Sequence, residues 1–407
     1  MSSTALFRPE TEIVSAKQAQ TGSSSVSTSL GTMSLRVTRD FESLKDLWET
    51  MQQVAPCTAA QTYDAARAWA EHVLKPEGRD AVVVIGTGAD GTPLFLWPFE
   101  IETRFGLRIL KWLGQDHANY NMGLFSPEAA AALDRQDISR LLREAGRQAG
   151  AVAASFAAQP VSWEGLPNPL VLLSHQRAPN SGYAVALGDF DDLYKSRFSK
   201  RSRYTLQRKE HRLGEMGRLD YGWAETREER LAVLEAFLVQ KAKQFAAMGV
   251  TDVFDADTSA FYRALALLDC DNPSRLRLGY VKLDGAILAT FSGFICHDRL
   301  SVALSSLAEG ETQRQSPGAL LLRYQIREAS EAGLAYYDLG VGQARHKDDW
   351  CNTVYALFDS FIAFKPQGLL LSLPLAGAAG LKRSIKANHY LWSFAQAVRK
   401  RLFSRDG

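Results

Sequence analysis

Hydrophobic and polar positions along this chain switch between a helical and a strand period, and the order of the switches predicts its elements. "DFESLKDLWETMQQVA" sets Phe41, Leu44, Leu47, Trp48 and Met51 on one helical face, and "TYDAARAWAEHVL" continues as a second helix. "DAVVVIGTGADGTPLFLWPFEI" reads as strand, turn and strand, with Asp90-Gly91 supplying the positive φ of a tight hairpin. "GLRILKWLG" predicts a third strand and "PEAAAALDRQDISRLLREAGRQAG" a further helix. The second half repeats this order. "RLDYGWAE" predicts a strand, "REERLAVLEAFLVQKAKQFAAM" and "DTSAFYRALALLDC" helices, and "RLRLGYVKLDGAILATFSGFIC" a hairpin turning at Asp284-Gly285. After the strand "RLSVALSSLAE", the stretch "SPGALLLRYQIREASEAGLAYYDLGVGQARHKDDW" predicts a helix, a short buried strand and a charged loop. "NTVYALFDSFIAF" is then expected to close the second sheet.

This repetition predicts an α/β (α+β) chain of two related domains in tandem, each a mixed sheet flanked by helices. Turn-forming residues cluster in "SHQRAPNSG" (Ser174–Gly182), so the predicted domains are 34–180 and 181–365. Residues 1–33 are rich in Ser, Thr and Ala, without the apolar core of a secretory signal, and are expected to be disordered. Residues 366–407 are expected to form a basic helical tail, with a pattern suited to touching a membrane surface or to peripheral contact with a membrane synthase complex.

A chain of 407 residues exceeds the ~250–300 at which single cores stop growing, in keeping with two domains. Its net charge of +2 gives no global reason to expect a nucleic-acid partner. The four cysteines, Cys57, Cys270, Cys296 and Cys351, are scattered, form no CxxC pair and have no histidine at zinc spacing, so no metal is expected. The longest apolar run, Gly368–Leu381, is interrupted by Pro374 and is shorter than the ~20 residues of a spanning helix; a soluble, cytoplasmic protein is expected.

Local chemistry concentrates in four places. "QSPGAL" joins Gln315, Ser316, Pro317, Gly318, Ala319 and Leu320 at a helix start, where free N–H groups and the helix dipole suit an anion. Asp338 interrupts an otherwise apolar strand and must be paired or functional, with Arg323 and Lys347 as possible partners. "DHANYNMG" gathers Asp116, His117, Asn119 and Tyr120, planar polar groups beside aromatics of the kind that bind sugars. In "KSRFSKRSRYTLQRKEHR", Arg197, Arg201, Arg208 and Arg212 fall within roughly 60° of a helical wheel, forming either a solvated stripe or an anion clamp.

The motifs "DLWETMQ", "TYDAARAW", "GLRILKWLGQDHANYNMGLF", "KRSRYTLQRKEHRLGEMG", "SPGALLL", "GLAYYDLGVG" and "HKDDW", in this order, resemble the CelD/BcsL-type acyltransferases of the GNAT superfamily. The resemblance covers nearly the whole chain after about Leu35 and implies transfer from acetyl-CoA or another acyl-CoA to a sugar or polysaccharide-precursor acceptor. It implies that Gln315 to Leu320 hold the cofactor pyrophosphate, with Leu320 replacing the usual final small residue. It places Lys347 in the catalytic loop, where His346 and Gln343 replace the usual tyrosine and acid. His346 is then the candidate base, as the side chain that titrates nearest neutrality, and Asp338 a candidate to orient it. Asp116, His117, Asn119, Tyr120 and Arg201 are the candidate acceptor-binding residues. The tandem layout also resembles Fem-type transferases, which take an aminoacyl group from tRNA, and the degenerate turn would suit a silent subunit of a synthase complex.

Overall fold

The computed structural model describes residues 22–387. Two large sheets organise them. The first takes β1 (Gly22–Thr28), β2 (Gly31–Thr38), β3 (Asp80–Thr87), β4 (Pro93–Arg104), β5 (Leu107–Trp112), β6 (Leu124–Phe125) and β7 (Ala153–Pro160). After a small ribbon, β8 (Ser162–Trp163) with β9 (Leu166–Pro167), comes β10 (Gln176–Arg177). The second takes β11 (Gly182–Ala186), β12 (Leu219–Trp223), β13 (Arg277–Leu283), β14 (Ala286–Cys296), β15 (Arg299–Leu307), β16 (Tyr336–Val341) and β17 (Thr353–Tyr355). The last strand, β18 (Leu357–Ala363), returns to the first sheet.

The tandem mixed α/β architecture agrees with the sequence pattern. Each unit is an antiparallel meander that meets a later strand in parallel, β5 with β7 and β15 with β16. Helices α1 (Lys45–Val54) and α2 (Tyr63–Trp69) precede the first meander; α3 (Pro127–Ala132) and α4 (Arg135–Ala149) follow it. In the second unit come α5 (Phe190–Arg197), α6 (Lys200–Glu215), α7 (Arg227–Met248), α8 (Ala256–Ala266), α9 (Pro317–Glu331) and α10 (Arg345–Trp350), and finally α11 (Leu369–Ala387) packs back on the first sheet. One apolar core joins the halves. Trp48, Tyr63 and Trp69 of the first pack with Phe237, Phe261 and Leu278 of the second.

Several expectations are corrected. Residues 22–33, expected to be disordered, form β1 and the start of β2, because their serines bond to α4 while Met33 is buried and Val26 and Leu30 pack against the same core. Ser29 Oγ donates to Asp137 Oδ2 at 2.6 Å, and Gln148 Nε2 donates to Ser24 Oγ at 2.8 Å. Residues 1–21 lie outside the described residues, as does 388–407 of the predicted tail. β7, an alanine-rich strand, has too little hydrophobic contrast to stand out in the sequence. "NTVYALFDSFIAF" does not close the second sheet as a unit. β17 pairs with β11, while β18 inserts between β7 and β10 of the first sheet. β11, from the joint between the halves, takes the place beside β16. The second half thus lends one strand, β18, to the first sheet. The expected charged loop after β16 winds into α10, and the expected basic helix is broken between α5 and α6, where Ser199 caps α6 by accepting from Ser202 N at 3.1 Å.

Candidate active site

β15 and β16 stay paired only from Arg299↔Tyr336 to Ser301↔Asp338 and then part. Each carries an extra residue at the parting: Ala303 has no ladder partner between Val302 and Leu304, nor Leu339 between Asp338 and Gly340. Glycines make both kinks possible. A Cβ on Gly293 would lie 2.1 Å from Ser301 O, and Gly340 has φ +75° with Asn119 against it. Into the gap reaches Asn119 of the first unit. Its Nδ2 donates to Val302 O at 2.8 Å, and its Oδ1 accepts from Val341 N at 3.2 Å. One carboxamide from the first half bridges the parted strands of the second.

Asp338 is fully buried at the root of this gap. Its Oδ1 accepts from Tyr120 Oη at 2.8 Å and Gly340 N at 2.7 Å, and its Oδ2 from Arg299 Nη1 at 3.0 Å. Burial pushes the carboxyl up from its ordinary value, while Arg299 and these donors pull against it. Burial also opposes the charge of Arg299, yet Asp338 and Tyr355 more than offset it and hold the guanidinium raised. Tyr355 Oη accepts from Arg299 Nη2 at 3.0 Å, and the guanidinium lies 4.4 Å from the Trp163 ring and 4.2 Å from that of Tyr336. Both oxygens of Asp338 are therefore committed elsewhere than His346. Its ion-pair partner is Arg299, not Arg323 or Lys347; Arg323 instead pairs with Glu210 at 2.6 Å. The pair closes only in three dimensions, through the parallel register of β15 and β16.

On one face of the gap stands the start of α9. Ser316, at φ +55°, makes no side-chain cap; its Oγ accepts from Lys209 Nζ of α6 at 2.7 Å. Leu320 is buried in the core, whereas Ala319 is exposed and Gly318 partly so. A Cβ on Gly318 would meet only Phe291 and Leu307, at 3.8 and 3.9 Å, so packing does not demand a glycine there. No acidic residue occupies this first turn. The corresponding helix of the first unit differs: α4 begins with Asp134 and Asp137, each accepting from the other's backbone N–H. Burial opposes the Asp137 charge, but bonds from Ser29 and Arg140 outweigh it and bring its pKa down to about 2. The first unit's helix start is filled by its own carboxylates; the second unit's is open and faced by a lysine.

His346 stands on this same face, its ring edge-to-face with Phe291 at 6.0 Å between centroids. Burial lowers its pKa and Lys347 adds to the shift, both favouring the neutral imidazole. Lys347 is buried and donates to Gly340 O at 3.1 Å and Val341 O at 3.0 Å, pinning the end of β16. Burial brings its pKa down to about 8.

On the other face lies a cavity between α2, α8, the loop after β5 and the parted end of β15. Trp69, Phe261, Phe294 and several alanines make it mainly apolar; Thr58, His117, Asn119, Tyr120, Tyr262 and Ser301 bring polar groups to it. The His117 ring lies tilted against Trp69, centroids 4.9 Å apart, and burial lowers its pKa despite Asp116 and Asp255 nearby. Of the loop residues expected to bind acceptor, three therefore line this cavity. Asp116 turns away, bonding Lys111 Nζ at 2.5 Å with its side chain 70% exposed. Arg201 is exposed on α6 with Arg208 and Arg212. Arg197 is not part of that stripe and instead donates to Asp348 O and Asp349 O at the end of α10. Sequence reasoning missed Lys209, Arg299 and Phe291; a charged residue opening the apolar strand "RLSVALSSL" was the available sign for Arg299.

Residues 200–348 match the family described as Acetyltransferase (GNAT) domain. The crystal structure of FemX superposes with a TM-score of 0.57 at 13% identity, over 81% of this chain and 98% of that one. A C-terminal domain of a putative lysylphosphatidylglycerol synthetase from Agrobacterium fabrum gives 0.48 at 12% identity, over 84% and 97%. A tandem GNAT protein from the clavulanic acid biosynthesis pathway gives 0.44 at 10%, over 85% and 99%. Comparison with curated protein sequences gives no match. Residues 200–348 are thus similar to a GNAT acetyltransferase domain, and the chain shares the fold of FemX.

Proposed function

We propose that this chain moves an acyl group from acyl-CoA to an amino or hydroxyl group of a sugar or polysaccharide precursor, with the donor on the second unit alone. The observation that carries the reading is the contrast between the two helix starts: α4 is filled by Asp134 and Asp137, while α9 offers an acid-free first turn beside Lys209. An anionic pyrophosphate is favoured at the second and repelled at the first.

The gap between β15 and β16 then receives the thioester. Ala303, lacking a ladder partner, is the backbone N–H we assign to the developing oxyanion. Acceptor enters from the cavity, its ring against Trp69. We assign the base to His117, because it faces that cavity, whereas His346 lies across the sheet beside Phe291. The nucleophile's lone pair forms the new C–N or C–O bond, its proton passes to the neutral imidazole, and the C–S bond breaks to release the thiolate, which then takes up a proton. His346 flanks the donor, and Lys347 and Asp338 hold the backbone and the gap in shape.

Binding of CoA to the full chain by isothermal titration tests this reading. Lys209→Glu and Gly318→Val should each weaken binding at least about tenfold, with unchanged melting, since Gly318 has room for a side chain. Equal affinity in parent and variants contradicts it. A second reading, aminoacyl transfer from tRNA, is favoured by exposed Arg201, Tyr204, Arg208 and Arg212 on α6, which packs beside the start of α9. A salt-sensitive gel shift with total tRNA, lost in Arg201→Glu/Arg208→Glu, would support it; no shift at low salt removes it.

A further inference from the structure

α11 breaks the usual pattern of a surface helix. It is fastened to the first sheet: Leu371 is buried against Ile109 and Ala153, and Gln176 Nε2 donates to Ala376 O at 3.2 Å. At its other end, Arg383 Nη1 donates to Arg177 O at 3.1 Å. Its opposite face should therefore be polar. Instead it shows Leu369, Leu370, Leu373 and Leu381, exposed by 49, 72, 66 and 63%, with Pro374, Gly377 and Ala378 exposed among them. At 3.6 residues per turn these positions fall on one half of the helix. No charged residue occurs between Lys365 and Lys382. Isolated exposed leucines are ordinary; a continuous apolar half-helix held outward by its own anchoring is not.

Charge says what covers it. Lys365 precedes the apolar face, and Lys382, Arg383 and Lys386 follow it in sequence. Beyond, outside the described residues, the sequence adds Arg399, Lys400 and Arg401, and from Ser360 onward Asp406 is its sole acidic residue. No helix among the described residues is long and apolar enough to cross a membrane. An apolar face framed by cations, without acids, fits the boundary between acyl chains and anionic headgroups. We propose that α11 lies in the plane of an anionic lipid surface, leucines inserted and basic residues among the headgroups.

The full chain should co-float with vesicles of phosphatidylcholine plus phosphatidylglycerol at low salt, and markedly less with phosphatidylcholine alone. Leu370→Asp/Leu373→Asp should weaken that binding about thirtyfold or more, since two leucines lose their burial in lipid. Melting temperature and CoA affinity should stay as in the parent, because both side chains point away from the protein. Absence of parent binding to the anionic vesicles, or equal binding by parent and double variant, overturns the proposal. So does a dimer in gel filtration that the double variant dissociates, because a second copy would then cover the leucines.

Discussion

Replacing Asp338 by asparagine decides whether this carboxylate does chemistry or holds the gap together. The side chain is wholly buried, and Asp338→Asn would leave Arg299, itself nearly buried, without its counter-charge. Breaking a buried pair from one side costs about 3–5 kcal/mol. Arg299→Met should cost a similar amount by stranding the carboxylate. The double variant strands neither charge, so its loss should fall short of the sum of the singles by about 0.5–3 kcal/mol, the usual range for contacting residues. Urea unfolding of parent, both singles and the double, followed by tryptophan fluorescence, closes the cycle. Turnover per folded molecule should drop far less than the ~10²–10⁴-fold expected on losing a general base. The reasoning is refuted if Asp338→Asn melts like the parent while turnover falls by that factor.

The remaining expectations concern histidines that titrate in different directions. His117→Gln should lower turnover by about 10²-fold or more with CoA affinity unchanged, and His346→Ala should affect it much less, as measured by thiol release; the reverse ranking moves the base to the donor face. Because burial depresses His117, kcat/KM in the parent should stay flat at neutral pH and fall only below the ordinary histidine value of about 6.5. His297 bonds Glu164 at 2.9 Å and the Gln52 carbonyl at 3.0 Å, and the Glu164 bond leads in raising its pKa to about 9. A raised folded pKa gives stability that is fully present below about 6.5 and lost as pH rises through about 9. Melting scans should show that decline in the parent and a flatter profile in His297→Gln; identical profiles would discount the pair.

The repeated order of helices and strands was legible because each unit writes a strong period into its core-facing residues. Two things were not. The transfer of β18 leaves no local trace: the strand has the same apolar pattern in either sheet, and only its register against β7, from Leu357↔Pro160 to Ala363↔Ala153, places it there. The active site was legible in its parts but not in its joins. Asp338 announced itself as a carboxylate in an apolar strand, yet Arg299 and Tyr120 reach it from far along the chain. The polar loop Asp116–Tyr120 was recognisable as chemistry, but its division of labour depends on which way each side chain turns. Asn119 bridges strands, His117 faces the cavity, and Asp116 pairs with Lys111. The basic helix held the relevant cation, Lys209, among more conspicuous arginines that face solvent.

Amide hydrogen exchange with and without CoA tests the central claim most directly, because it reads the backbone groups assigned to the donor. The account predicts slowed exchange in peptides covering Gly318 to Leu320 and Ala303, with none at the start of α4 around Asp134. Unchanged exchange at α9, or protection centred on α4, would contradict it.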